Sequence, residues 1–186
     1  SSLTNIGNNA FSNCQNLELI TIPKLLKSIE NFMFEKCKKL SSIKIPIFVE
    51  SIKSTAFFDS GLHFINFLNG SSLKSIESNA FLYCSSLESF LLPSFVEYIQ
   101  KSSFCHCSKL KTFIITTNSS IKLIGTNAFG YCFKLQFFKL PKNIDYIGDF
   151  AFNQCTGLHS FYYFGIREPK FSGNPFSGCK NLNVIY

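Results

Sequence analysis

One motif recurs along this chain at intervals of 23 to 25 residues, and it restricts the folds that the chain can adopt. Each copy contains a phenylalanine that is followed three residues later by a small residue, cysteine in seven of the eight copies. The phenylalanines are Phe11, Phe34, Phe57, Phe81, Phe104, Phe129, Phe152 and Phe176. A unit this short cannot bury its own apolar side, so the copies are expected to stack on one another as a solenoid.

A short alternation of apolar and polar residues follows each phenylalanine and predicts a β-strand. In the first copy this alternation is Ile20-Thr21-Ile22. The accompanying Leu-x-x-Leu-x-Leu spacing is typical of a leucine-rich repeat solenoid, in which successive strands pair as a parallel sheet along one face. Asn or Asp residues near the phenylalanines, such as Asn79 before Phe81, are helix-capping residues and predict a single helical turn in each unit.

The expected fold is an α/β repeat: a right-handed leucine-rich repeat solenoid with a parallel sheet on one face and short helical turns and loops on the other. Residues 1–186 are predicted to form a single solenoid of about eight repeats of 23–25 residues. The chain begins in mid-unit and ends inside a strand, which indicates a fragment of a longer array. Because it contains no run of 18 apolar residues, we expect no membrane insertion by this segment.

The cysteine column has two interpretations. Ser60 replaces cysteine in the third unit, so a small residue suffices at this position. Stacked coils place equivalent residues roughly 4.8 Å apart with parallel side chains, whereas a disulfide needs Cβ atoms about 3.8 Å apart and converging. The geometry therefore favours buried, unreactive free thiols over a disulfide framework.

The cluster Cys105-His106-Cys107 is the one stretch that resembles a metal or nucleophile site. Zinc sites usually separate their cysteines by about two to four residues and use four ligands, but here a single residue separates them and Cys107 already belongs to the column. No Gly-rich phosphate loop, Ser/His/Asp constellation or paired-carboxylate motif occurs. We expect no catalytic residues, no metal, no cofactor and no enzymatic activity. A thiol or metal enzyme at this cluster is the alternative.

The whole repeat resembles the BspA-like leucine-rich repeats, whose pattern reads Leu-x-x-Ile-x-Ile-Pro-x-x-Val-x-x-Ile-x-x-x-Ala-Phe-x-x-Cys, and the similarity runs from Leu3 to Ile185. Members of that family are known chiefly as adhesive surface proteins of mucosal bacteria and parasitic protists. The resemblance implies display at the cell surface or secretion, and attachment to a host extracellular-matrix or cell-surface protein. It does not identify a ligand.

The outward positions of the predicted strands form a candidate binding surface, which we call the sheet face. Its apolar and aromatic residues, together with one lysine, are Phe64, Leu91, Ile114, Phe137, Lys139, Tyr162 and Tyr186, with Tyr186 assigned to the same position as Tyr162. A contiguous apolar patch with aromatics commonly marks an interaction site. Two alternatives stay open: parallel strands favour such residues on either face, or a neighbouring molecule covers the patch.

A partial basic ridge is predicted two residues after the cysteine column, at Lys39, Lys109 and Lys134, in a chain of net charge +7. Sulfated glycans or anionic surfaces are ligands of fitting charge, but exposed lysines also keep proteins soluble. No groove-entering helix or base-stacking motif is visible, so nucleic acid is not an expected partner.

Three stretches depart from the repeat and are predicted to be surface loops. They are LNGSS at 68–72, TTNSS at 116–120 and GIREPKF at 165–171. Asn69 and Asn118 in the first two loops match the N-glycosylation triplet, which is compatible with secretion.

Two functions compete at this point. The first is a non-enzymatic binding module of a cell-surface protein that mediates protein–protein or cell–matrix adhesion through the sheet face and the loops. The second is a structural spacer, or a self-associating repeat segment, without a ligand of its own. Specific binding by the sheet face would distinguish the first from the second.

Overall fold

The computed structural model describes residues 2–185, and this part of the chain consists of fourteen short β-strands joined by turns, with no helix. The longer strands are β2 (Ser42–Ile45), β4 (Phe64–Phe67), β6 (Ser89–Leu92), β8 (Thr112–Ile115), β10 (Phe137–Leu140), β12 (Ser160–Tyr163) and β14 (Asn183–Ile185). Two-residue strands alternate with them: β1 (Ser28–Ile29), β3 (Ser51–Ile52), β5 (Ser75–Ile76), β7 (Tyr98–Ile99), β9 (Leu123–Ile124), β11 (Tyr146–Ile147) and β13 (Lys170–Phe171).

The strands stack in parallel along two faces of a solenoid. The two-residue strands form one seven-stranded sheet in the order β1-β3-β5-β7-β9-β11-β13. From its first strand to its last, this sheet spans six complete turns of the solenoid. The longer strands pair as β2-β4, β6-β8 and β10-β12-β14. In each ladder, equivalent residues of successive units are partners, as in Ile29 with Ile52 and Ile52 with Ile76. The predicted parallel leucine-rich repeat solenoid is therefore confirmed.

The predicted helical turns are wrong, because residues with left-handed backbone conformation flank the recurring phenylalanine in seven of the eight units. In the first seven units, the residues two positions before and two positions after the phenylalanine have positive φ, such as Asn79 (61°) and Tyr83 (63°) around Phe81. A left-handed residue interrupts a right-handed helix. The N–H groups of Asn79, Phe81 and Tyr83 instead donate to carbonyls of the next coil over 2.9, 2.7 and 3.0 Å. The asparagine thus serves a left-handed turn, which Asn tolerates better than most residues.

The recurring phenylalanines form a continuous stack along the solenoid axis. All eight rings of the motif stack on their neighbours, with ring centroids 5.0 to 5.5 Å apart. A second stack from the strands β6 to β12 contains Phe90, Phe113, Phe138 and Phe161, and its rings meet the first stack edge to face. The two stacks account for twelve of the 23 phenylalanines of the sequence, and they form one repeated core environment.

The cysteine column packs beside the phenylalanine stack. Six of its thiols donate to the carbonyl oxygen of the preceding unit's phenylalanine over 3.0 to 3.3 Å, as Cys84 does to Phe57. Ser60 is buried in the same column, with its Oγ 3.4 Å from the Sγ of Cys84. Burial raises the pKa of Cys84 to about 12. These contacts support a packing role for the column, because a protonated, buried thiol is a poor nucleophile.

We expect thiol reagents to distinguish the exposed cysteine from the buried ones. At pH 8 the folded protein should react at Cys14, which is exposed, much faster than at Cys84 or Cys107, which are fully buried. All eight cysteines should react at similar rates in denaturant. Mass spectrometry after a short iodoacetamide pulse measures this. Fast labelling of Cys107 in the folded state would contradict the packing role.

A column of alternating charge runs along the residues that precede the two-residue strands. Its members are Lys27, Glu50, Lys74, Glu97, Lys122 and Asp145. Lys74 donates to Glu50 over 2.8 Å and Lys122 donates to Glu97 over 2.7 Å, and these hydrogen bonds lower the pKa of both carboxyls. Solvent screens such exposed pairs, so the column adds little stability.

Candidate binding surface

The ladders place most of the sheet-face residues on neighbouring strands. Leu91 of β6 pairs with Ile114 of β8, and their side chains are 54% and 46% exposed. Lys139 of β10 pairs with Tyr162 of β12, and the Lys139 ammonium lies 5.6 Å from the centre of the Tyr162 ring. The sheet face thus contains an aliphatic pair followed by a cation–π pair.

The remaining members of the predicted surface differ in accessibility. Phe64 of β4 is 53% exposed and lies opposite Ser42 of β2. Phe137 and Tyr162 are half-buried. Among residues that the structure describes, the exposed apolar area of this face is therefore centred on Phe64, Leu91 and Ile114.

The register of the last strand differs from the one that the motif spacing predicts. Strand β14 pairs Tyr162 with Ile185 and Ser160 with Asn183. The prediction that Tyr186 shares the position of Tyr162 is therefore wrong by one residue. Tyr186 itself lies outside the described residues.

The predicted basic ridge is exposed but discontinuous. Lys109 and Lys134 come from adjacent units, whereas Lys39 belongs to a unit three coils earlier. The Lys39 ammonium lies 3.9 Å from the Glu18 carboxylate, which offsets part of its charge. A long polyanion would therefore meet two neighbouring lysines here rather than a continuous row.

The first two insertion loops have the same hydrogen-bonding scheme. In LNGSS the N–H of Ser71 donates to the carbonyl of Leu68 over 3.1 Å, and in TTNSS the N–H of Ser119 donates to the carbonyl of Thr116 over 3.0 Å. Both serines are buried. Gly70, at the third position of the first turn, has a φ of 82°, which suits glycine. The loops are thus tight turns fixed to the solenoid body.

The third loop, GIREPKF, is held differently. The hydroxyl of Tyr163 donates to the carbonyl oxygen of Arg167, which folds the loop back on the end of β12. Ile166 projects fully into solvent at the tip of this loop. All three predicted loops lie at the surface, next to the ends of the longer strands.

The sheet of longer strands is interrupted beside the first two loops. No ladder joins β4 to β6 or β8 to β10 among the described strands. Ser89 follows Phe64 by 25 residues and Phe137 follows Thr112 by 25, whereas paired longer strands start 22 or 23 residues apart. The longer coils therefore break the strand pairing at the two places where the loops protrude.

A cleft lies at each of these breaks. The one beside LNGSS, which we call the first cleft, has a volume of about 250 Å³ and includes Leu68, Leu91 and Phe95 among its lining residues. The one beside TTNSS, which we call the second cleft, has a volume of about 320 Å³ and includes Lys139 and Lys142. The repeat motif predicts the loops but not these clefts, because pairing breaks depend on three-dimensional spacing.

The Cys105-His106-Cys107 stretch does not bring its side chains together for chemistry. The Cys107 thiol donates inward to the carbonyl of Phe81 over 3.3 Å, and the sulfur of Cys105 accepts from the Asn127 amide over 3.2 Å. Among residues 2–185, no group of three or more His, Cys, Asp or Glu residues could hold a metal ion. The two thiols therefore make separate contacts within the solenoid, one to the backbone and one to a side-chain amide.

The ring of His106 belongs to a surface stack that the repeat motif does not include. It lies between the rings of Tyr83 and Tyr131, with ring centroids 4.5 and 4.4 Å apart. Partial burial lowers the pKa of His106. All three residues stand two positions after the recurring phenylalanine, so aligning that column would have revealed the stack.

Parallel coils with a strand face and stacked turns define the leucine-rich repeat solenoids, a class that generally offers concave binding surfaces. The family description "BspA type Leucine rich repeat region (6 copies)" matches residues 1–73 and 62–183 of this chain. The chain belongs to the BspA-type leucine-rich repeat family, and the predicted resemblance is confirmed. No relative was found among curated protein sequences.

Solved structures show the same fold. A leucine-rich repeat protein from Bacteroides ovatus is 26% identical with a TM-score of 0.54, and the alignment covers 98% of this chain and 58% of that protein. The pneumococcal vaccine antigen PcpA is 28% identical with a TM-score of 0.68, over 75% of this chain and 36% of PcpA. A T. pallidum leucine-rich repeat protein, 22% identical with a TM-score of 0.60 over 97% of this chain and 72% of that one, shares the fold.

The chain spans less than two thirds of the length of the first two of these proteins. Residues 2–185 contain no helix that is long and apolar enough to cross a bilayer.

Proposed function

We propose that this solenoid is a noncovalent protein-binding module of a cell-surface protein, without catalytic activity, and that it binds through the sheet face and the adjoining loops. The single observation that carries the proposal is the set of exposed apolar side chains on the longer strands: Leu91 and Ile114, which pair across β6 and β8, and Phe64 on β4. Large side chains fixed on strands lose little conformational freedom when a partner binds them, which lowers the entropy cost of association.

The proposed partner is a host extracellular-matrix or cell-surface protein, and the setting is cell adhesion. Family membership supports this proposal. The similarity to PcpA, a pneumococcal vaccine antigen, supports surface display. Sulfated glycans at Lys109 and Lys134 are a weaker candidate, because the basic ridge is discontinuous and partly neutralised.

The test is binding of the folded chain to a panel of purified matrix proteins at two salt concentrations. The double substitution Leu91→Ser and Ile114→Ser is expected to weaken binding at least about tenfold, because truncated central anchors often cost over 1 kcal/mol each. The loss of stability should stay at about 1 kcal/mol, because both side chains are half exposed.

Phe133→Ser is the matched control, since Phe133 is 42% exposed but lies outside the strands of the sheet face. This variant should bind as the parent does. An equal loss in both variants would indicate nonspecific adhesion of apolar surface. Absence of binding to every protein in the panel would refute the proposed function and favour a spacer.

A further inference from the structure

The two clefts of the sheet face differ in charge although the loops that border them are built alike. The residues that line the first cleft include no charged side chain, and Leu68, Leu91 and Phe95 are each about half exposed there. The second cleft is lined by two lysines, Lys139 and Lys142, and by no carboxylate. One partner surface that fills both clefts must therefore combine an apolar group with a negative one.

The surroundings of the clefts have the same charge bias. The outward positions of the strands β2 to β12 carry two lysines, Lys44 and Lys139, and no carboxylate. The ring of Tyr162 lies 5.6 Å from the Lys139 ammonium and contributes a cation–π contact that holds it beside the second cleft. Phe164 stacks on Tyr162 with 6.5 Å between ring centroids and also lines the second cleft. An anion that enters this cleft would meet a positioned ammonium next to apolar surface.

The spacing of the clefts fits an extended peptide segment. The first cleft lies between β4 and β6 and the second between β8 and β10, so two strand separations, roughly 10 Å, divide them. Three residues of a polyproline II segment rise about 9.3 Å and complete one turn, so residues i and i+3 face the same side, whereas residues three apart on a β-strand face opposite sides. A segment that runs across the strands can therefore place one side chain in each cleft.

We propose that the partner contributes an acidic segment in the extended polyproline II conformation, with an apolar or aromatic side chain in the first cleft and an Asp or Glu side chain, three residues away, between Lys139 and Lys142 in the second. This inference rests on the proposed function, because it names the chemistry of the partner at the same face. A sulfated glycan would supply negative charge to the second cleft but would leave the apolar first cleft unfilled.

The probe is the blocked tetrapeptide acetyl-Phe-Gly-Ser-Glu-amide, titrated into the ¹⁵N-labelled chain and followed by amide chemical shifts. We expect saturating shifts at residues 66–71, 91, 92, 94 and 95 of the first cleft and at 115–118, 139, 140 and 142 of the second, because Pro93 and Pro141 have no amide proton. The matched peptide with Gln in place of Glu should bind about three- to fivefold more weakly, the usual size for loss of one solvent-exposed ion pair.

The variants Lys139→Gln and Lys142→Gln should weaken binding of the Glu peptide by a similar factor and leave binding of the Gln peptide unchanged. Lys109→Gln is the control, because Lys109 is exposed and lies outside both clefts. Equal binding of the two peptides, shifts confined to other surfaces, or no shifts at all would overturn the inference. The inference would also be overturned if a heparin fragment shifted only the amide signals of residues 139, 140 and 142 and competed with the matrix protein.

The inference and the proposed function can fail separately. Suppose that a matrix protein binds, and that binding is lost in the double variant Leu91→Ser and Ile114→Ser but kept in Lys139→Gln. The inference of an acidic segment is then refuted and the proposed function stands. If the peptide binds as expected while no protein in the panel does, the clefts have the inferred chemistry and the proposed function fails.

Discussion

Phe104→Ala is expected to lower the free energy of unfolding by about 3–5 kcal/mol, the usual cost of removing a buried aromatic ring. Phe104 is fully buried and stands at the middle of the first phenylalanine stack, between Phe81 and Phe129 at centroid distances of 5.0 and 5.3 Å. It also meets the rings of Phe90 and Phe113 edge to face. Because each coil packs only on its neighbours, a cavity here weakens both flanking interfaces.

Guanidinium unfolding followed by circular dichroism and by tyrosine fluorescence measures this loss. The control is Phe164→Ala, since Phe164 is 67% exposed and a surface substitution usually changes stability by less than about 0.5 kcal/mol. Separation of the two probes in Phe104→Ala would show that the array splits at the weakened coil instead of unfolding as one unit. Equal stability of the two variants would contradict a continuous aromatic core.

The features that the sequence alone could predict are those set by repetition. The motif spacing places Phe104 and Cys107 in defined columns, and repeated alternation such as Ile43-Lys44-Ile45 determines which strand residues face inward. The structure agrees, because Ile43 and Ile45 are buried and Lys44 is exposed. A repeat can be predicted in this way since every unit provides an independent observation of the same environment.

The features that could not be predicted depend on how neighbouring coils fit together. Asn79 reads as a helix cap in isolation, but the next coil offers carbonyl acceptors, and a left-handed turn satisfies the backbone N–H groups better than one helical turn would. The clefts arise from pairing breaks between coils of unequal length, and no residue type indicates such a break. The register of Tyr162 could not be predicted for the same reason, since motif spacing does not measure how the last coil closes.

Unequal coil length also predicts an unusually sensitive glycine in the third unit. This unit has one residue, Gly61, between the column residue Ser60 and Leu62, where the second unit has two between Cys37 and Leu40. Gly61 of this shortened coil lies against the preceding coil, where its N–H donates to the carbonyl of Cys37 over 3.1 Å.

Gly61→Ala is therefore expected to lower the free energy of unfolding by about 1–3 kcal/mol or more, because added volume in a packed interface forces backbone shifts. A Cβ atom at this position would lie 1.9 Å from the carbonyl oxygen of Lys38, which is backbone and cannot rotate away. Gly7→Ala is the matched control, since a Cβ there would meet nothing within 4 Å. Thermal and chemical unfolding of both variants gives the comparison. Unchanged stability in Gly61→Ala would mean that the third coil has room for a side chain at this position. It would contradict a close backbone contact between Gly61 and the preceding coil.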